Sequence, residues 1–124
     1  MSGPNYRLTE LADDDINSIL AYTLREFGSL QLEAYSKLID KAAQMVGQSP
    51  MRPGSKARDE LGEGVRCFHV ELAASRRGAA SHILYYVAGP MEDGTPGAII
   101  LRVLWQGMDP KPRVMLGLDE LESG

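Results

Sequence analysis

Cys67, His69 and His82 are the side chains of this sequence with the most versatile chemistry. A neutral imidazole exchanges protons near neutral pH, and imidazole and thiolate are common zinc ligands. Cys67 and His69 share one face of a predicted strand, and His82 lies on the next strand. Structural zinc sites usually take four ligands with close spacing. We therefore expect no metal and no cofactor, with Cys67 packed as a small apolar residue and His82 hydrogen-bonded within the sheet.

Arg66 and the pair Arg76-Arg77 are candidate contacts for an acidic partner. Arg66 begins a predicted strand and lies on the face opposite Cys67. The pair Arg76-Arg77 sits in a predicted turn, where a short run of charge fits a solvated hairpin equally well. We therefore predict Arg66 as a partner-binding residue and leave the pair open between the two roles.

The stretch LRVLWQGMDPKPR, residues 101–113, is a buried-type strand that ends at Trp105. Pro110 and Pro112 restrict the backbone that follows, and a stiff segment loses less entropy when it docks. Large aromatic and Arg side chains are enriched among the residues that dominate binding energy at protein interfaces. The sequence thus predicts partner-binding residues at Trp105, Met108 and Arg113, although Trp105 also fits the rim of a core.

Composition narrows the class of protein. The chain has 124 residues, 44% of them hydrophobic and 24% charged, with a net charge of -4. These values are typical of a globular domain, and the acidic balance disfavours nucleic acid as a direct partner. A single cysteine excludes an internal disulfide, and no apolar run approaches the length of a membrane span. The start of the chain lacks signal-peptide features, so we expect a cytoplasmic protein with no membrane contact.

The order of elements predicts an α+β fold, because helical patterns come first and strand patterns follow. A short strand at 5–8 precedes a helix capped by Thr9, and apolar residues at steps of three and four run to Phe27. Gly28 ends that helix, and a second helix capped by Ser29 runs to Gly47. The second half contains a Pro/Gly-rich loop at 48–64 and an antiparallel meander, with strands at 65–72, 81–88 and 98–105. The last strand is apolar on both faces, which predicts a place inside the sheet, under the helices.

These elements, in this order and spacing, resemble the ParE branch of the RelE/ParE toxin family from Tyr6 to about Pro110. No single piece is diagnostic. The pieces that carry the resemblance are Tyr6-Arg7-Leu8, the helix Ala12...Ile16...Ile19..Tyr22-Thr23, Phe27-Gly28, Arg52-Pro53-Gly54, Glu60-Leu61-Gly62..Val65-Arg66, His82-Ile83-Leu84-Tyr85-Tyr86, and Ile99-Ile100-Leu101-Arg102-Val103-Leu104 with Met108-Asp109.

The resemblance implies a RelE/ParE-like fold: an N-terminal strand, a two-helix hairpin, and a three-strand antiparallel meander packed against the helices. We expect one such toxin domain over residues 1–124, with 106–124 as a C-terminal tail. Within that tail, residues 114–122 are apolar and acidic together, which fits either a short helix packed on the domain or a segment ordered by a partner.

The resemblance also implies a function. ParE-like toxins of type II toxin-antitoxin pairs bind DNA gyrase and block it without being enzymes, and a ParD-like antitoxin wraps around them. Family members also carry a basic residue at the position of Arg66. Many ParE-like sequences have His where this chain has Trp105, which leaves the role of that position open. We expect the antitoxin to cover an apolar strip of the helical hairpin and to add hydrogen bonds at a sheet edge.

Two alternatives follow from the same residues. RelE-like relatives cut mRNA on the ribosome, and here Arg66 together with Arg76 or Arg77 would hold phosphate while His82 moves a proton. That branch uses a Tyr or His near the C-terminus, and this chain has neither after Tyr86. The other alternative is an interaction domain with no toxic activity, which the acidic balance and the Trp105 substitution favour.

Overall fold

The computed structural model describes residues 5–123, so the two ends of the predicted domain, 1–4 and 124, lie outside the described residues. Within this range the chain is an α+β fold, as predicted. The elements are β1 (Tyr6–Leu8), α1 (Glu10–Phe27), α2 (Ser29–Gln48), β2 (Lys56–Ala57), β3 (Arg66–His69), a 3-10 turn (Val70–Ala73), β4 (His82–Pro90), β5 (Pro96–Trp105) and α3 (Lys111–Ser123).

The five strands form one mixed sheet in the order β1-β5-β4-β3-β2. The predicted meander is confirmed, because β3, β4 and β5 pair antiparallel in sequence order. β1 joins β5 in parallel, so β5 is an interior strand as expected. Two details differ from prediction. The 48–64 loop contributes a two-residue edge strand, β2, and the first meander strand stops at His69 because the chain turns into the 3-10 segment.

The helical hairpin is fixed at its start by Thr9. The Thr9 hydroxyl accepts a hydrogen bond from the Ala12 amide at 3.0 Å, which is the predicted N-cap, and donates one to the Leu101 carbonyl at 2.9 Å. Gly28 joins the two helices with φ of +89°, a conformation that favours glycine. Ser29 is the first residue of α2 rather than its cap, and no side chain caps that helix. The hairpin therefore turns on Gly28 alone.

Strand β5 separates two apolar cores. A bulge in β5 interrupts the alternation of side chains between the two faces of the sheet. Tyr85 pairs with Arg102 while Tyr86 pairs with Ile100, which leaves Leu101 without a partner. Ile100 and Val103 pack under the hairpin in one core. The second core lies on the opposite face of the sheet and consists of Leu61, Val65, Cys67, Tyr85, Leu101, Leu104 and Val114.

The predicted tail contains helix α3, which covers the second core. Gly117 lies against the backbone of Leu101, where a Cβ would come within 2.8 Å of the carbonyl oxygen. The Glu120 carboxylate accepts hydrogen bonds from the amides of Glu10 and Leu11 at 2.7 and 3.0 Å, and so caps α1 from outside. Of the two possibilities left open for this segment, the structure has the packed helix.

A bidentate ion pair joins α1 to β5. The Arg102 guanidinium donates to both carboxylate oxygens of Asp15, at 2.7 and 2.8 Å, and the two side chains are only 12% and 15% exposed. Asp15 also accepts from the Val103 amide at 3.0 Å, and Arg102 donates to the Arg113 carbonyl of α3 at 3.1 Å. One pair of charges thus connects α1, the sheet and α3.

We expect Asp15→Ala to lower the free energy of unfolding by about 3 kcal/mol, because it leaves a mostly buried guanidinium and a strand amide without their acceptor. Urea unfolding followed by circular dichroism measures this loss. Asp14→Ala removes an exposed carboxylate from the same helix turn and should change stability by less than about 0.5 kcal/mol. Equal losses in the two variants would contradict this role for the ion pair.

Candidate functional site

A groove runs between α1 and the end of β5. It consists of two connected cavities of about 200 and 410 Å³, which share Ser18, Ile19, His82 and Trp105. We call this surface the Trp105 groove; Tyr22, Arg102, Met108 and Arg113 also line it. Three of the four residues predicted to bind a partner therefore meet in one place.

Trp105 is the main exposed aromatic side chain of the groove. It is 53% exposed, and its indole ring packs over Gly107, where a Cβ would overlap the ring. The turn that follows is closed by a hydrogen bond from the Met108 amide to the Trp105 carbonyl at 3.0 Å. On the other side of the groove, Tyr22 is 51% exposed. The ring of Trp105 is therefore held in a defined position while half of its surface remains open.

Arg113 adds the cationic character of this groove. It is partly buried on α3, and its guanidinium donates to the Asp109 carbonyl at 3.0 Å. Arg102 also lines the groove, but Asp15 neutralises its charge. Met108 is partly buried against the second core. The groove thus combines an aromatic wall with one cation that makes no salt bridge among residues 5–123.

Arg66, the fourth predicted binding residue, lies elsewhere. Its guanidinium donates to the Ser55 hydroxyl at 2.8 Å and to the Ser55 carbonyl at 3.3 Å. Ser55 also contacts the Tyr86 hydroxyl, which donates to the Pro50 carbonyl at 2.6 Å. Arg66 therefore anchors the Pro/Gly-rich loop to the sheet. It pairs with Tyr86, and Tyr86 lies four residues along β4 from His82, about 13 Å at the rise of an extended strand.

His82 is the one imidazole that lines the Trp105 groove, and its contact was not anticipated. Its Nδ1 lies 2.6 Å from the Tyr35 hydroxyl of α2, so it is bonded to the hairpin rather than within the sheet. The Tyr35 oxygen also accepts from the Ser81 amide at 3.2 Å, which favours the phenol as the donor to Nδ1. This arrangement corresponds to a neutral His82 with its proton on Nε2. Burial lowers the pKa of His82, and neighbouring His69 lowers it further.

Cys67, His69 and His82 do not converge on one point. Cys67 is buried in the second core, as predicted for a small apolar residue. His69 bonds Gln106 through Nε2 at 2.7 Å and accepts from the Glu71 amide through Nδ1 at 3.1 Å. His82 faces the hairpin instead. Within the described part of the chain, no group of three or more His, Cys, Asp or Glu side chains has the geometry of a metal site.

Part of the groove was not predicted from sequence. Ser18, Ile19 and Tyr22 come from α1, and the periodicity of that helix assigned Ile19 to the core strip. Ser18 and Ile19 lie four and three residues before Tyr22, which places both beside it on the helix surface. The sequence pattern does not show that this face of α1 lies against Trp105 at the end of β5. Aromatic and aliphatic groups beside a cation suit a protein partner more than a reaction centre.

Comparisons with known proteins agree with this fold. A family model described as "ParE toxin of type II toxin-antitoxin system, parDE" matches residues 6–110. The match spans β1 to β5 and stops just before α3. A search of curated proteins finds no match. Among the described helices, none combines the length and apolar character needed to traverse a bilayer.

The environment of His82 predicts a pH-dependent stability. Its folded-state pKa lies below the unfolded value of about 6.5, so the unfolded chain binds the proton more readily. The contribution of neutral His82 to the free energy of unfolding is therefore fully present above pH 6.5, and it is lost as the pH falls below that value. We expect the free energy of unfolding to decrease by less than about 1.4 kcal/mol for each pH unit in that range.

His82→Asn supplies the matched variant, because an amide oxygen can accept from Tyr35 but does not titrate. Chemical unfolding of both proteins between pH 7.5 and 5.5 compares their slopes, and the carboxylates contribute equally to each. The variant should show the smaller slope. Identical slopes would mean that His82 contributes nothing to the pH dependence.

Proposed function

The chain belongs to the ParE toxin family of type II toxin-antitoxin systems, and from this premise we propose that it inhibits DNA gyrase by binding it. We also propose that it acts in the cytoplasm and that a ParD-like antitoxin neutralises it. The family implies an antitoxin partner; the identity of the target and of the antitoxin is our proposal. Trp105, Met108, Arg113 and Arg66 are the proposed partner-binding residues.

The observation that carries the proposal is the exposed indole of Trp105 on a rigid support. β5 is an interior strand, Gly107 holds the ring, and the ion pair of Arg102 fixes the strand to both neighbouring helices. A side chain ordered before binding loses little entropy when a partner covers it. Tyr22 and Arg113 extend the same surface with the residue types that dominate interface energies. We assign the target contact to this groove.

Arg66 takes a second role within this proposal. Its guanidinium holds the 48–64 loop through Ser55 while remaining partly exposed. We propose that it contributes to binding by fixing the loop, and that its remaining exposed atoms meet the partner at the edge of the sheet.

The proposed antitoxin surface is the tip of the helical hairpin. Leu24, Phe27 and Leu30 are 48%, 65% and 85% exposed there, a concentration of apolar surface that a partner helix would cover. Below it, a cavity of about 350 Å³ opens between α1, α2 and β1, lined partly by Ile16, Ile39 and Ala43. The sheet edges β1 and β2 are three and two residues long, so strand addition offers few hydrogen bonds.

Inhibition without bond cleavage is the simpler mechanism for these side chains. The alternative ribonuclease needs His82 near the arginines, but Arg66 is tied to Ser55 about 13 Å along the sheet. The Tyr35 hydroxyl is bonded to Nδ1 of His82, and when that hydroxyl is the donor the proton lies on Nε2, which then is no base. These contacts support binding as the basis of toxicity.

The gyrase proposal predicts loss of inhibition when the indole is removed or displaced. Purified protein should reduce DNA supercoiling by gyrase, and Trp105→Ala should raise the half-inhibitory concentration at least about tenfold, as for an interface hot spot. Gly107→Ala keeps the indole, but the added methyl group would overlap the ring and displace it, so this variant should also weaken inhibition. Met51→Ala, at an exposed position on the 48–64 loop, is the control and should inhibit as the wild type does. Unchanged supercoiling at micromolar protein would contradict the proposal.

The ribonuclease alternative has its own test. Primer extension on mRNA from a translation reaction should show no new 5' ends when the protein is added. New ends that disappear with His82→Asn would establish cleavage and overturn the non-enzymatic mechanism. Growth of bacteria expressing the chain alone separates both activities from a harmless interaction domain, which would leave growth unchanged.

A further inference from the structure

A second groove lies beside α2, away from the Trp105 groove. One wall is α2, which contributes Ala34, Lys37, Leu38 and Lys41. The opposite wall is the connection between β3 and β4, which contributes Ala73, Ala74, Ser75 and Arg76. The groove is open to solvent and has a volume of about 340 Å³. We call this surface the basic groove, because its only charged lining residues are cations.

The cations of the basic groove are largely free to meet a partner. Lys37 pairs with Glu33 at 3.2 Å, but both side chains are well exposed, so this pair contributes little. Lys41 and Arg76 make no salt bridge within residues 5–123. The one carboxylate of the connection between β3 and β4, Glu71, accepts a hydrogen bond from the Gly78 amide at 2.9 Å and so holds the turn itself. The sequence pointed to Arg76 as a contact for an acidic partner but not to Lys37 and Lys41, which lie far from it in the chain.

We propose that the basic groove binds an acidic peptide segment of a partner protein in an extended conformation. Lys37 and Lys41 are one helical turn apart, about 6 Å along the axis of α2. In an extended peptide, side chains two residues apart point the same way and are separated by almost the same distance. Two carboxylates spaced in this manner meet the two lysines, and the residue between them faces the opposite wall.

The apolar floor favours a peptide over a nucleic acid. Leu38 is partly buried, and Ala73 is buried beside it, so the groove offers aliphatic contacts between its cations. A phosphate backbone gains nothing from such a floor. A long polyanion also extends beyond the groove, where the net charge of -4 of the chain repels it, whereas a short peptide stays within the groove. A short acidic segment with small or aliphatic side chains uses both features. The inference does not depend on the proposed action on gyrase.

A labelled peptide tests the proposal directly. The probe is a fluorescein-labelled peptide of alternating Glu and Leu, and its control has Gln in place of every Glu. Fluorescence anisotropy should show binding of the Glu peptide alone. The double variant Lys41→Glu with Arg76→Glu should weaken that binding at least about tenfold, because it replaces two attractions by repulsions.

A charge-matched variant separates the groove from net charge. Lys56→Glu with Lys111→Glu changes the net charge equally but alters exposed cations outside the basic groove, so it should bind within about twofold of wild type. Equal loss in both double variants would overturn the proposal, as would absence of binding at millimolar peptide. A labelled single-stranded DNA that binds more tightly than the Glu peptide, and is lost in the groove variant, would overturn it in favour of nucleic acid. Circular dichroism confirms that each variant is folded.

Discussion

The ion pair between Asp15 and Arg102 is the constraint on which the arrangement of this protein depends. The pair is mostly buried, and removing either partner would leave an unpaired charge. Its position is possible because the bulge at Leu101 shifts the register of β5, and this lets Arg102 reach α1 and α3 together. Without that shift, strict alternation would not put Ile100 and Val103 in one core. Asp15 and Arg102 also line the Trp105 groove, so the ion pair lies directly beside it.

Helix α3 also packs against α1 and β5, although it lies beyond the region that matches the family. Its residues begin at 111, and the family match ends at 110. Even so, Glu120 caps the first turn of α1, Gly117 lies against β5, and Arg113 lines the Trp105 groove. The segment is therefore part of the packed structure rather than an appendage. Helix α3 covers the second face of the sheet. Strand β5 is therefore buried on both faces, which explains why both of its faces are apolar.

Local patterns in the sequence were enough to predict the helices, the meander and the Thr9 cap, because periodicity and capping are local properties. They also brought Trp105, Met108 and Arg113 into one candidate site, since the three are close in sequence. The bulge, the parallel pairing of β1 and the contact of His82 with Tyr35 depend on residues far apart in the chain. Arg66 was predicted by type and strand position, but its bond to Ser55 comes from the folding of a long loop, which no short-range pattern specifies.

The chain contains one tryptophan, and it is the half-exposed ring that borders the candidate binding groove. Indole emission shifts to shorter wavelength when water leaves its surroundings. Binding at this surface can therefore be followed by the fluorescence of one residue, without an attached dye. Because Trp105 packs on Gly107 in this groove, a partner that binds there would change the intrinsic fluorescence of the protein.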